Sequence, residues 1–157
     1  GGGALLHEKI VAAASEEVVV IADAAKEVGT LGAFPLPVEV VRFGWMTTQL
    51  LIEELLVSVD VMGRKVTLRM NGDAPFTTDE GNVILDLHLS RIGNARQLAM
   101  ALNQMPGVVE NGLFVDLCDK VIIGYGDGRV ETRDINEGTV TEDHVNLMEN
   151  ENLFSDI

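Results

Sequence analysis

Lys65-Val66-Thr67-Leu68-Arg69-Met70 and Val83-Ile84-Leu85-Asp86-Leu87-His88-Leu89 decide the fold. Both stretches read as strands, and the second follows a Gly81-Asn82 turn. Working outward, a strand over Val38 to Phe43 and a helix from about Trp45 to Val57 come before them. A helix from about Asn94 to Met105 and a strand over Val108 to Val115 come after. The order is strand, helix, strand, strand, helix, strand, which is that of a split two-layer sandwich. On its N-terminal side, Phe34-Pro35-Leu36-Pro37 lacks two backbone donors and should be a stiff connector at a lobe boundary.

Outside that sandwich the pattern changes. Gly1 to Gly3 lead into Ala4 to Ser15, where Leu6, Ile10 and Ala14 recur at helical spacing among good helix formers. Val18-Val19-Val20-Ile21-Ala22 then reads as a strand buried on both faces of a parallel sheet. Further on, Lys120 to Tyr125, a turn at Asp127-Gly128 and a short strand over Arg129 to Thr132 could return to that sheet. The expected fold is therefore α/β: a partial Rossmann-like sheet lobe, made by 1–36 and 114–130, with an inserted ferredoxin-like (βαββαβ) α+β lobe over 37–113. The last 27 residues, Glu131 to Ile157, hold eight Asp or Glu against one Arg and read as a solvated, disordered acidic tail.

The chain has 157 residues, enough for a real core, and a formal net charge of −14. A field of that sign repels nucleic acid and anionic membrane surfaces, so neither is an expected partner. No apolar run is long enough to cross a bilayer, and the N-terminus has no basic region followed by an apolar stretch. The single Cys118 permits no internal disulfide, which points to a reducing, cytoplasmic compartment. No Cys/His group has zinc spacing, and the acids around Gly81-Asn82 do not match a calcium loop. The chain has no starting Met and opens in mid-motif, so a preceding segment is expected.

Three features carry possible chemistry. The glycine run lets backbone N–H groups and a helix dipole approach an anion closely, although glycines serve a tight turn equally well. Glu8, near the start of the helix, is placed to act as a general base; an acid there is also favoured by the dipole alone. Lys26 follows the strand at the end where open α/β sheets bind ligands, and its ammonium could hold a phosphate or simply be solvated. His7, His88 and His144 are isolated and lack a nucleophile partner.

These pieces together resemble the type A ribose-5-phosphate isomerases. The resemblance rests on Gly1-Gly2-Gly3-Ala4-Leu5-Leu6-His7-Glu8-Lys9-Ile10-Val11-Ala12, where glycines and a short helix lead to a catalytic Glu-Lys pair. It continues in Ile21-Ala22-Asp23-Ala24-Ala25-Lys26 and Phe34-Pro35-Leu36-Pro37-Val38-Glu39-Val40. Two further blocks are Thr78-Asp79-Glu80-Gly81-Asn82-Val83-Ile84-Leu85-Asp86 and Pro106-Gly107-Val108-Val109-Glu110-Asn111-Gly112-Leu113-Phe114. The resemblance implies conversion of D-ribose 5-phosphate to D-ribulose 5-phosphate in the pentose phosphate pathway, without metal or cofactor. By position, Glu8 would be the base, Lys26 a substrate-binding lysine and Gly1, Gly2 and Gly3 the backbone that approaches the substrate. An Asp pair, a Ser/Thr phosphate loop and a further lysine are expected before Gly1, and a homodimer or homotetramer is expected. The alternative is a non-catalytic sugar-phosphate sensor, which would have no need of Glu8.

Overall fold

The structure, a computed structural model, describes residues 2–145. In chain order the elements are α1 (Leu5–Ala14), β1 (Val19–Asp23), a 3-10 turn (Ala24–Lys26), β2 (Leu36–Val40), α2 (Trp45–Ser58) and β3 (Lys65–Leu68). Then come β4 (Met70–Asn71), β5 (Ala74–Pro75), β6 (Val83–His88), α3 (Ala95–Asn103), β7 (Val108–Asn111), β8 (Lys120–Gly124), β9 (Arg129–Asp134) and β10 (Thr139–His144). The chain divides into two compact units, residues 1–14 with 29–115 and residues 15–28 with 116–157. α1 thus groups with the sandwich, whereas the sequence reading places it with the sheet that contains β1.

The larger unit is the ferredoxin-like sandwich. Its sheet has the order β3-β6-β2-β7 and every pair is antiparallel, with Val38 opposite Leu85 and Asn111, and Val66 opposite Leu87. Strand side chains alternate between faces, so Leu36, Val38 and Val40 share one face with Val83, Leu85 and Leu87. These six pack with Ile52 and Leu56 of α2 and Leu98 and Leu102 of α3 in one buried cluster. α3 starts where Asn94 caps it, its side chain accepting from the Gln97 N–H at 3.0 Å. The other face of the sheet carries polar pairs beside the buried Ile84: Arg69 donates twice to Asp86, at 2.9 and 2.6 Å, and Thr67 bonds His88 at 2.8 Å.

The smaller unit is a sheet of order β1-β8-β9-β10. β1 and β8 are parallel, with Ile21 opposite Ile122, and the C-terminal strands do return to β1. Two expectations are corrected here. β1 forms, but among the described residues it is not buried on both faces: it is an edge strand there, Val19 and Val20 are exposed, and Ile21 is 76% exposed. A run of β-branched residues specifies an extended backbone; burial needs a second layer, and the described part of this unit has no α-helix to supply one.

The acidic stretch after residue 130 is also ordered as far as residue 144, as β9 and β10 pair with Thr132 opposite Thr141. The hairpin closes because Gly138 takes φ +68°, its N–H reaching the Asp134 carbonyl at 3.0 Å, while the Asp134 carboxylate accepts from the Glu137 N–H at 2.8 Å. Cations answer part of the acidic charge: Arg129 meets Glu142 at 3.3 Å and Arg133 pairs with Glu131. The rest of the expected tail, residues 146–157, lies outside the described residues.

Candidate active site

Leu5–Ala14 reads LLHEKIVAAA, nearly all good helix formers, with the acid Glu8 in the first turn where the dipole favours it. The helix does not bury the stripe that sequence periodicity suggests. Ile10 is 57% exposed and Ala14 is exposed, whereas Leu5 is buried and Lys9 and Ala12 are half-buried. The inward face is Leu5-Lys9-Ala12, spaced four and three residues apart, with a lysine at its centre.

Lys9 can face inward because its ammonium is fully met by acceptors. Its Nζ donates to Glu110 Oε1 at 2.7 Å and to the carbonyls of Asn111 at 2.6 Å and Leu113 at 3.0 Å, and it lies 5.0 Å from the centre of the Phe114 ring. Three hydrogen bonds exhaust an ammonium's donors, and a carboxylate and an aromatic face offset the charge.

His7, on the other side of Glu8 in sequence, bonds Glu80 Oε1 through Nε2 at 2.9 Å, with Asp79 3.7 Å from Nδ1. The hydrogen bond to Glu80 raises the His7 pKa above its ordinary value; the charges of Glu80, Asp79 and Glu39 act the same way, and partial desolvation opposes them.

Between these two anchored neighbours, Glu8 is exposed. Its backbone N–H donates to the Ala4 carbonyl at 3.0 Å, and its carboxylate has no hydrogen-bonding or ionic partner among the described residues. Ahead of it, Gly3 takes φ +102°, and a Cβ there would stand 2.9 Å from both Ile84 Cδ1 and Phe76 Cε1. Only glycine fits that approach, which seats the start of α1 against Ile84 and Phe76 on that second face of the sandwich sheet. Gly2 is exposed with open space around it, and Gly1 lies outside the described residues. Gly3, Ala4 and His7 line, with Glu39, Thr78, Asp79 and Glu80, a nook of about 10 Å³. That is room for about one water and not for a sugar.

Two groups here escaped sequence reasoning. One is Lys9 as an inward anchor, for which the signal was its spacing of four from Leu5 and three from Ala12. The other is Glu39, a fully buried carboxylate that accepts from Thr78 Oγ1 at 2.8 Å and Asn82 Nδ2 at 2.9 Å. Its signal was its position between Val38 and Val40, which puts it on the face opposite to theirs.

Lys26 belongs to the smaller unit. It ends the 3-10 turn after β1, which Asp23 caps by accepting from the Ala25 N–H at 2.9 Å. Its side chain is exposed, with no hydrogen-bonding or ionic partner among the described residues, while the adjacent Glu27 is taken by Arg133 at 2.6 Å. Among the described residues no three His, Cys, Asp or Glu side chains are grouped to hold a metal ion, and no helix is long and apolar enough to cross a membrane.

Fold and site define an α/β protein in which the carboxylate near the start of a glycine-led helix has no bonded partner among the described residues. The chain belongs to the ribose 5-phosphate isomerase A (phosphoriboisomerase A) family, whose model matches residues 1–128. It is 71% identical, over all 157 residues, to ribose-5-phosphate isomerase A of Ruegeria pomeroyi, and it spans 60% of that relative's length. Among solved structures it superimposes on ribose 5-phosphate isomerase A of Methanocaldococcus jannaschii with a TM-score of 0.75 at 36% identity, covering 85% of this chain and 56% of that one. A D-ribose-5-phosphate isomerase in complex with phospho-erythronic acid matches with a TM-score of 0.70 at 35% identity, covering 92% of this chain and 56% of that one.

Proposed function

We propose that the protein carrying this chain interconverts D-ribose 5-phosphate and D-ribulose 5-phosphate, with Glu8 as the proton-transfer base. The observation that carries the proposal is the unpartnered Glu8 carboxylate within residues that match the isomerase family. In the aldose-to-ketose direction, the carboxylate removes the proton from C2. The C2–H electron pair becomes the C1–C2 double bond, and the carbonyl pair moves onto O1, giving an enediolate. Return of the proton to C1, with the O2 proton passing to O1 as C2 becomes the carbonyl, completes the ketose.

The orphan N–H groups at the start of α1 favour negative charge, which supports a role for Gly1, Gly2 and Gly3 in steadying the enediolate or the substrate. Lys26, an exposed cation in a family-matching turn, is assigned to the phosphate. The phospho-erythronic acid bound by one structural relative fits this chemistry, since a planar carboxylate has the charge and shape of an enediolate. The chain spans 60% of the length of its curated relatives, and further binding groups are assigned to the rest of the isomerase. A homo-oligomer in the cytoplasm is the accompanying expectation.

Glu8→Gln in the complete protein tests the reading. Loss of a positioned general base should lower kcat by about 10²- to 10⁴-fold with the fold intact. Unchanged turnover of ribose 5-phosphate would remove Glu8 as the base. Because the scheme uses no metal, EDTA should leave the rate unaltered.

A further inference from the structure

We propose that Lys9 is a positioning residue for Glu8: its ammonium sets the rotation of α1 and so the direction in which the base points. This rests on the assignment of Glu8 as base. Three observations combine to support it.

α1 is weakly held by apolar burial, because Leu5 is its only buried residue. With one fully buried apolar residue, the roll of the helix about its axis is set by its polar contacts, the exposed His7 pair with Glu80 and the more buried Lys9 cluster. Leu6 and Ala12 are half-buried, and so is Lys9, whose side chain is 15% exposed and is held by Glu110, the Asn111 and Leu113 carbonyls and the Phe114 ring.

These acceptors are themselves built into the sandwich. Glu110 and Asn111 are on β7, and Asn111 is fully buried, with its side chain donating to Asn103 Oδ1 at 2.8 Å and accepting from the Leu113 N–H at 3.0 Å. The Glu110 carboxylate also accepts from the Asn111 N–H at 2.8 Å. The ammonium therefore meets a fixed target, and one helical step of 100° from an inward Lys9 places Glu8 on the outward side. Lys9 is too committed to reach substrate; it acts through Glu8. An error of about 1 Å in placing a reacting group can cost about 10² in rate, so a rolled helix would show in kcat.

The test compares wild type, Glu8→Gln, Lys9→Met and the double variant in the complete protein, assayed with ribose 5-phosphate and melted in parallel. Lys9→Met keeps the stem and removes the ammonium. It is expected to lower kcat about 10- to 100-fold with KM within about 2-fold, and to have no further effect on kcat in the Glu8→Gln background. A purely structural role would predict similar losses in both backgrounds. A folded Lys9→Met with wild-type kcat, or an equal further loss in the double variant, overturns the proposal. If Lys9→Met gives no cooperative melt, Glu110→Gln decides, since it keeps both carbonyl acceptors while weakening the clamp. A fall in kcat of about 2- to 5-fold at constant KM supports the proposal, and an unchanged kcat overturns it. Full activity in Glu8→Gln would instead bring down the assignment of the base, a separate and recognisable failure.

Discussion

Of the two four-stranded sheets described, one has a helical layer, and the other has none among the described residues of its own unit. Of the 18 buried hydrophobic residues among those described, 17 belong to the sandwich and only Ile123 to the smaller sheet. The sandwich is therefore stabilised mainly by burial. The smaller sheet relies on its hydrogen-bonded ladders and on surface contacts such as Lys120 with Glu17, Arg133 with Glu27 and Arg129 3.5 Å over the Tyr125 ring. Exposed ion pairs contribute little individually and are screened by salt. The division of labour suits the proposed chemistry. Glu8, the proposed base, sits on a helix seated against the well-packed sandwich, where a fraction of an ångström matters, and Lys26, proposed for the phosphate, follows a strand of the lighter sheet.

The largest effect that separates the two sheets should come from paired truncations. Leu85→Ala removes a fully buried side chain from the centre of the sandwich and should cost about 2–5 kcal/mol. In this chain, Ile21→Ala on the exposed edge strand should change stability by no more than about 0.5 kcal/mol. Denaturant unfolding of both variants measures this, and equal losses would break the comparison.

A smaller effect is expected from Arg133→Gln, which frees Glu27 and Glu131. The melting temperature should fall modestly at low ionic strength, and the difference should close in about 1 M salt, where screening acts within about 3 Å. A difference that persists in salt would mean that the pair is shielded.

The smallest effect concerns His7. Its folded pKa is raised by Glu80, so its contribution to stability is full below the unfolded value of about 6.5 and is lost as pH rises through the folded value. His7→Gln should therefore lower the melting temperature most between about pH 5 and 6.5, and the gap should close on the alkaline side. A gap independent of pH would show that the ring acts by packing alone.

How much of this was legible in advance differs from element to element. The order of strands and helices in the sandwich was, because periods of 2 and 3.6 residues are properties of a local stretch. Val83 to His88 and Ala95 to Asn103 fall inside the ranges that the pattern indicates. The burial of β1 was not legible, since β-branched residues suit an extended backbone whether or not anything covers it. The β9–β10 hairpin was masked by net charge, which reports solvation and says nothing of the Asp134 and Gly138 turn that folds the strands back. Glu8 stood out through motif order, but its lack of a bonded partner among the described residues is a property of the folded chain.

By itself, then, the sequence determined the types of element, their order, the glycine-led helix and the family to which the chain belongs. Tertiary structure alone decided which way that helix faces. Lys9 and Glu110 are 101 residues apart, and nothing within a turn of either announces the other. A lysine reads as a solvent-facing charge until folding brings a carboxylate, two carbonyls and an aromatic ring to one place. Only that convergence makes its burial favourable, since a charge leaves water only where partners are already fixed to receive it.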